Sequence, residues 1–429
     1  MKSFRTVFIW SLILLLMSSS HILASPQDDP VIDKERLAKR VNSPATKQTL
    51  ADKMDVQPNI DFDMETLAYD PFRANIIVAT VDFEHVPSGT HGTASFAYKW
   101  QDLELIEIHC SYWLWGTVVS GNIATNTTWT VAGSPYYLVD SVTVESSATL
   151  TIEPGSVIRV KKVNYGHGFS EIDVHGTLNC QNTTFTTSCD FESYDHSQFI
   201  YNEYDWDGIY IMGDGSCTIE DSTIEYAGMG IYKHSNGIAS ITGTTFFRCY
   251  DGIDMREISG PYTITDNAIT DCHIGIFCTS MTSALEINGN TITCAPRWNL
   301  SNGIYCYESS PVINSNIISG YTYGINCRMN SSPTVTSSTI QDNSTGIICD
   351  QNSSPTVNNN NIIGNTYHGL YNSDSSVTVN AENNWWGDAT GPYHGTTNPS
   401  GLGDQVSDDV DYDPWLTSAV TMFVNIRGY

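Results

Sequence analysis

The feature that most constrains this chain is a glycine that returns at nearly fixed intervals, each time followed by an aliphatic residue. The pairs are Gly208-Ile209, Gly230-Ile231, Gly252-Ile253, Gly275-Ile276, Gly303-Ile304, Gly324-Ile325, Gly346-Ile347 and Gly369-Leu370. The gaps between these glycines are 22, 22, 23, 28, 21, 22 and 23 residues. A Ser-Ser-Pro triplet keeps the same rhythm at 309–311, 331–333 and 353–355, and apolar pairs such as Ile264/Ile269, Ile287/Ile292 and Ile313/Ile318 track with it. Such a period is too short for helical-pair repeats or for a propeller blade, and the leucine framework of leucine-rich repeats is missing. Each unit holds two or three short alternating strands joined by Asn, Gly and Ser. One coil cannot bury its apolar side alone, whereas coils stacked about 4.8 Å apart can. The deduced fold is all-β, a parallel β-helix solenoid.

Alternation then sorts the side chains. Residues two apart in a strand share a face, so Ile and Cys in Gly-Ile-x-Cys point inward together. Stacking puts Cys278, Cys306, Cys327 and Cys349 in one internal row, where cysteine serves as a small buried hydrophobe. Neighbouring rungs also lie within disulfide reach. Cys180–Cys189 and Cys249–Cys272 are candidate bridges, and the total of eleven cysteines leaves at least one thiol unpaired within the chain. Asn-rich corners such as Val357-Asn358-Asn359-Asn360-Asn361-Ile362 suit left-handed turns, and stacked amides bond to one another.

Ahead of the repeats, residues 1–24 read as a secretory signal: Lys2 and Arg5, a short apolar run from Val7 to Met17, then Ala24 at a cleavage position. Residues 25–69 form a linker or extension, and 70–128 a small β-rich domain or N-terminal cap. The solenoid is expected over 129–380, a closing segment and C-terminal cap over 381–418, and a tail strand over 419–429. Trp385, Trp386 and Trp415 are suited to fold over the open end of the last coil. No later apolar run is long enough to span a membrane, so the expected location is secreted or cell surface. The formal net charge of -28 argues against a nucleic-acid partner, which needs a basic footprint.

The third residue of each Gly-Ile-x unit faces outward: Tyr210, Tyr232, Asp254, Phe277, Tyr305, Asn326, Ile348 and Tyr371. Tyr210, Tyr232, Phe277 and Tyr305 make a candidate platform for sugar rings, and the expected partner is a polysaccharide or cell-surface glycan. Six basic residues serve all of 165–429, against 29 acidic ones. Two of the six, Lys233 and Arg256, fall on adjacent coils with His234, Asp251 and Asp254. Those five are the candidate catalytic set: paired carboxylates suit glycoside hydrolysis, and a basic side chain beside a calcium-held uronate suits β-elimination. Glu203, Asp205 and Asp207 are the candidate calcium ligands. Binding or scaffolding on polysaccharide without catalysis is the leading reading; a lyase or hydrolase acting on acidic polysaccharide and a structural stalk or adhesin repeat are the alternatives.

Gly133-Ser134-Pro135-Tyr136-Tyr137, followed by Ala148-Thr-Leu-Thr-Ile-Glu-Pro-Gly155, resembles the opening coil of secreted right-handed parallel β-helix proteins. Asn383-Asn384-Trp385-Trp386-Gly387, Gly391-Pro392 and Asp411-Tyr-Asp-Pro-Trp-Leu416 resemble their closing segment. The resemblance covers roughly 129–416. It implies a right-handed, pectate-lyase-like superfold shared by enzymes and by surface proteins alike. The calcium-site carboxylates and catalytic base of pectate lyases have no residue-by-residue counterpart here.

Overall fold

A computed structural model describes residues 61–69, 76–85, 90–99, 105–112, 117–160, 170–187, 205–256, 262–281, 285–295 and 300–421, with side chains from 117 onward. The signal segment, most of the linker, Glu203, Cys189 and the tail beyond 421 lie outside the described residues. Strands Asp61–Tyr69, Ile76–His85, Thr90–Lys99 and Leu105–Tyr112 pair in an antiparallel sheet. Among the described residues, those from Thr117 to Asn380 form the solenoid, and the segment after it closes its end.

The solenoid makes about ten turns. Each coil lays one strand on each of three faces, and every pairing between coils is parallel. The first face carries the Gly-Ile strands, from Tyr136–Val144 to His368–Asn372; the second runs from Thr127–Trp129 to Val410–Asp411; the third from Val157–Val160 to Asn361–Ile363. Thr117–Ile123 already pairs in parallel with Tyr136–Val144, so the solenoid starts about a dozen residues before the expected boundary at 129. Those residues belong to the stack and not to the antiparallel sheet.

Stacking is in register. Ile209, Ile231, Ile253, Ile276, Ile304, Ile325, Ile347 and Leu370 form one continuous interior row, each wholly buried. Full burial of one such side chain is worth roughly 1.5–3 kcal/mol, and the rows repeat this on all three faces. The glycine before each of these residues is set by close approach between coils. A Cβ on Gly252 would meet the Gly275 carbonyl oxygen at 2.6 Å, and one on Gly303 would meet Ile318 at 2.5 Å and the Gly324 carbonyl at 2.6 Å. Only a residue without a side chain fits that corner, which is why the period is written in glycine.

The corner between second and third faces is built from two consecutive residues. The first takes the left-handed conformation, as in Asp266 (φ 57°), Gly289 (φ 68°), Ser315 (φ 58°), Asn359 (φ 57°) and Asn383 (φ 58°). The next turns its side chain inward. There Asn290 Oδ1 accepts from both the backbone N–H and the side-chain amide of Asn267, at 2.9 Å each. Asn316 repeats this for Asn290, and Asn384 for Asn360. Ser338 takes one rung with its hydroxyl, accepting from Asn316 N–H at 3.1 Å. A second ladder, Asn343 to Asn365, ends on Asp404, whose carboxylate accepts from Gly364 N–H, Asn365 N–H and the Asn365 amide. The upper end is closed by Trp386, wholly buried, with Val406, Val410 and Tyr412 beside it and Trp415 against Tyr412 at 6.2 Å. Trp385 is half-buried and bridges to Asn361.

Cys278, Cys306, Cys327 and Cys349 stack as expected, all wholly buried. Of the expected bridges, Cys249–Cys272 does not form: both are free thiols, as are Cys180 and the four of the row, while Cys189, the expected partner of Cys180, lies outside the described residues. Cys249 and Cys272 instead direct their thiols at backbone carbonyls, of Ile224 and Phe247 and of Thr270. Burial pushes the Cys180 and Cys278 thiols far up, which leaves them unreactive. In the native protein an alkylating reagent is therefore expected to spare the nine cysteines whose side chains are described, and in denaturant without reductant to label all nine. Labelling that needs a reductant first would show disulfides and contradict this packing.

Candidate functional site

The outward row of the first face stands in register as Tyr210, Tyr232, Asp254, Phe277, Tyr305, Asn326, Ile348 and Tyr371. Ring centroids of Tyr210 and Tyr232 are 5.1 Å apart, and those of Phe277 and Tyr305 are 5.0 Å apart. Two residues further along their strands, His234 meets Tyr232 edge-on at 6.3 Å and Tyr307 meets Tyr305 edge-on at 6.5 Å. These rings lean face against face along the solenoid axis, at interplanar angles of 39° and 35°. Solvent therefore meets ring edges and hydroxyls more than open faces, which differs from a platform on which sugars lie flat.

Asp254 breaks the aromatic row, and Arg256 repairs it. The Arg256 Nε donates to both Asp254 oxygens, at 2.9 and 3.0 Å, and Nη2 donates at 2.6 Å. The guanidinium sits over the Tyr232 ring at 5.3 Å and the Phe277 ring at 5.2 Å, taking the place of the missing ring as a cation between two π faces. Asp254 is wholly buried beneath it, while the Arg256 side chain keeps 35% of its exposure. Burial raises the Asp254 carboxyl above the usual range, opposed by its bond to Arg256; the hydrogen bond that Arg256 donates to Asp254 raises the arginine in turn.

Asp251 lies beside this pair on the same strand, only 4% exposed, between Met229 and Ile274 of the adjoining coils. Its Oδ1 is buried without a hydrogen-bond partner. Burial, then the charge of Asp254, hold this carboxyl well above its ordinary value, with Arg256 opposing them. Asp251, Asp254 and Arg256 share one strand and bear on one another electrostatically, and both carboxyls are sealed from solvent.

Lys233 is on the other side of the sheet. Its register partners are Ile211 and Met255, so it occupies the same inward row as the cysteines. It is wholly buried, with Nζ donating to the Gly215 carbonyl at 3.2 Å and standing 5.3 Å from the centre of the Tyr262 ring. Burial pulls its amine down to about 8. The expected five-residue set is thus divided: His234 and Arg256 outside, Asp251 and Asp254 covered, Lys233 within the core. Sequence reasoning also passed over a second outer pair, Arg328 Nε on Asp350 Oδ2 at 2.9 Å; Arg328 occupies in its unit the position that Arg256 occupies two residues after Asp254.

Of the expected calcium ligands, Glu203 is outside the described residues and Asp205 is half-buried. Asp207 bonds through its backbone to Ser170 of the preceding coil, and its charge bears on Glu171. Among the described residues, no group of three or more His, Cys, Asp and Glu is placed to hold a metal ion. Glu171 is pushed up to about 7 by burial and by the charges of Asp173 and Asp207; Asp207 is pushed up to about 6 by burial. A carboxyl raised above its unfolded value stabilises the fold fully below that value, about 4.3 for Glu, and the gain is lost as pH rises through the folded value. The melting temperature should therefore fall between pH 5 and pH 7.5, and Glu171→Gln should make that fall smaller. A variant with an unchanged or steeper fall would contradict the assignment.

Residues 207–319 and 293–392 match the family described as the right handed beta helix region. Among curated proteins, none matches the chain. With about ten parallel coils the chain is a parallel β-helix repeat protein, and over 207–392 it is similar to the right-handed family. Among the described residues, no helix is long and apolar enough to cross a membrane.

Proposed function

We propose that this is an exported or cell-surface β-helix protein that binds polysaccharide along the outer row of its first face, without catalysis. The observation that supports the reading best is the row itself. Tyr210, Tyr232, Arg256, Phe277 and Tyr305 are half-buried, mutually braced and held on consecutive coils. Braced side chains lose little further entropy when a ligand arrives, so each contact contributes more of its energy to affinity. Successive rungs repeat every ~4.8 Å along the axis, close to the length of one sugar residue in an extended chain. Hydroxyl-bearing edges at that spacing suit hydrogen bonding to a glycan lying across the coils. Asp251 and Asp254 are poorly placed for acid–base work, because a substrate atom has no open path to either carboxyl.

Retention on immobilised polysaccharides, with lyase and reducing-end assays run on the same samples, tests this reading. Binding to at least one glycan is expected without unsaturated or reducing-end product. Tyr232→Ala and Tyr305→Ala should each weaken it by about tenfold, which corresponds to ~1.4 kcal/mol. Retention untouched by both substitutions, or product formed by the unmodified protein, would overturn it.

A further inference from the structure

The described cations on and beside the outer row share one property: each is cancelled or withdrawn. Arg256 is bound on both oxygens of Asp254 and clamped between two rings. Arg328 lies on Asp350 at 2.9 Å. Lys233, on the same strand as Tyr232, points into the core. The chain as a whole carries a formal charge of -28.

From this we infer that the glycan accepted by the outer row is uncharged, a specificity that rests on the binding reading above. An acidic glycan would bring a carboxylate to every rung or every second rung. Each would face the excess negative charge of the protein and be repelled by it. To gain a counterion it would have to take Arg256 from Asp254. That exchange strands a wholly buried carboxylate, and removing one partner of a buried pair is strongly destabilising. A neutral chain asks for none of this. It needs hydroxyl groups along its length, and the row and its neighbours carry them on the half-buried Tyr210, Tyr232, Tyr305, Tyr307 and Thr279. The Asp254–Arg256 pair thus acts as a selectivity element: it completes the row in shape while removing the charge that would recruit uronates.

The test compares retention on immobilised neutral polysaccharides (a β-glucan, a xylan, a galactomannan) with retention on polygalacturonate and alginate. Each is run at low and high salt, with calcium and with chelator. Neutral glycans should bind at least about tenfold more tightly than acidic ones, with little salt dependence. Asp350→Asn, which releases the half-exposed Arg328, should raise retention on the acidic glycans severalfold at low salt, and the gain should vanish at high salt. Asp254→Asn should act in the same direction through Arg256, and Asp350→Asn keeps the test usable if the buried substitution impairs folding. Tighter binding of the unmodified protein to polygalacturonate or alginate, with or without calcium, overturns the inference while leaving polysaccharide binding intact. Failure to bind either class removes the binding reading, and the inference with it. No gain on acidic glycans from a folded Asp350→Asn protein also counts against it, because the released cation would then have proved irrelevant to selection.

Discussion

A backbone N–H buried at a corner of the solenoid must find an acceptor, and in this protein the acceptor is a side chain of the next coil. Asn290 serves Asn267, Asn316 serves Asn290, Ser338 serves Asn316, Asn360 serves Ser338 and Asn384 serves Asn360. A slip of one residue at any coil would leave two buried groups unpaired and turn every interior isoleucine outward. Hydrophobic rows alone tolerate a slip of two residues better, because it keeps the same side chains inward and Ile against Val is nearly as good as Ile against Ile. The amide ladder does not. It converts a stack of similar coils into one register, and Asp404 ends the second ladder by offering a carboxylate where no further asparagine follows.

The outer surface inherits that register. A single residue position, repeated on successive coils, becomes a straight row, and one substitution changes one rung without disturbing the rest. Asp254 is such a change: an acid stands where neighbouring coils place a ring, and Arg256 folds back to fill the volume and meet the charge. The same register explains why charged residues close in sequence do not make an acid–base site here. Adjacent residues on a strand go to opposite sides of the wall, and residues two apart neutralise each other.

Much of this was legible in the sequence. The glycine period gave the fold because close approach between coils admits nothing else at that corner, and the cysteine row followed from strict alternation. Alternation applied equally would have placed Lys233 inside, since it holds in its unit the position that Cys278 holds in a later one; its charge drew attention to the surface instead. Asp254 reads as exposed by position, and its burial depends on how the Arg256 side chain folds, which no periodicity encodes. The start of the solenoid at Thr117 was hidden because the first coil lacks the Gly-Ile pair that marks later ones. A bridge at Cys249–Cys272 was suggested by proximity, whereas both thiols stay free and lie against backbone carbonyls.

The measurement that bears most directly on the ladder as the governing constraint is the unfolding free energy of Asn290→Ala beside Asn290→Ser. The alanine removes the acceptor for two donors of Asn267 and should cost about 2–4 kcal/mol by the usual penalty for buried unpaired groups. The serine keeps an acceptor of the kind Ser338 provides at another rung, and should recover a substantial part of that loss. Equal and small losses for the two variants would mean that the apolar rows alone hold the coils in place, and the account would be wrong at its foundation.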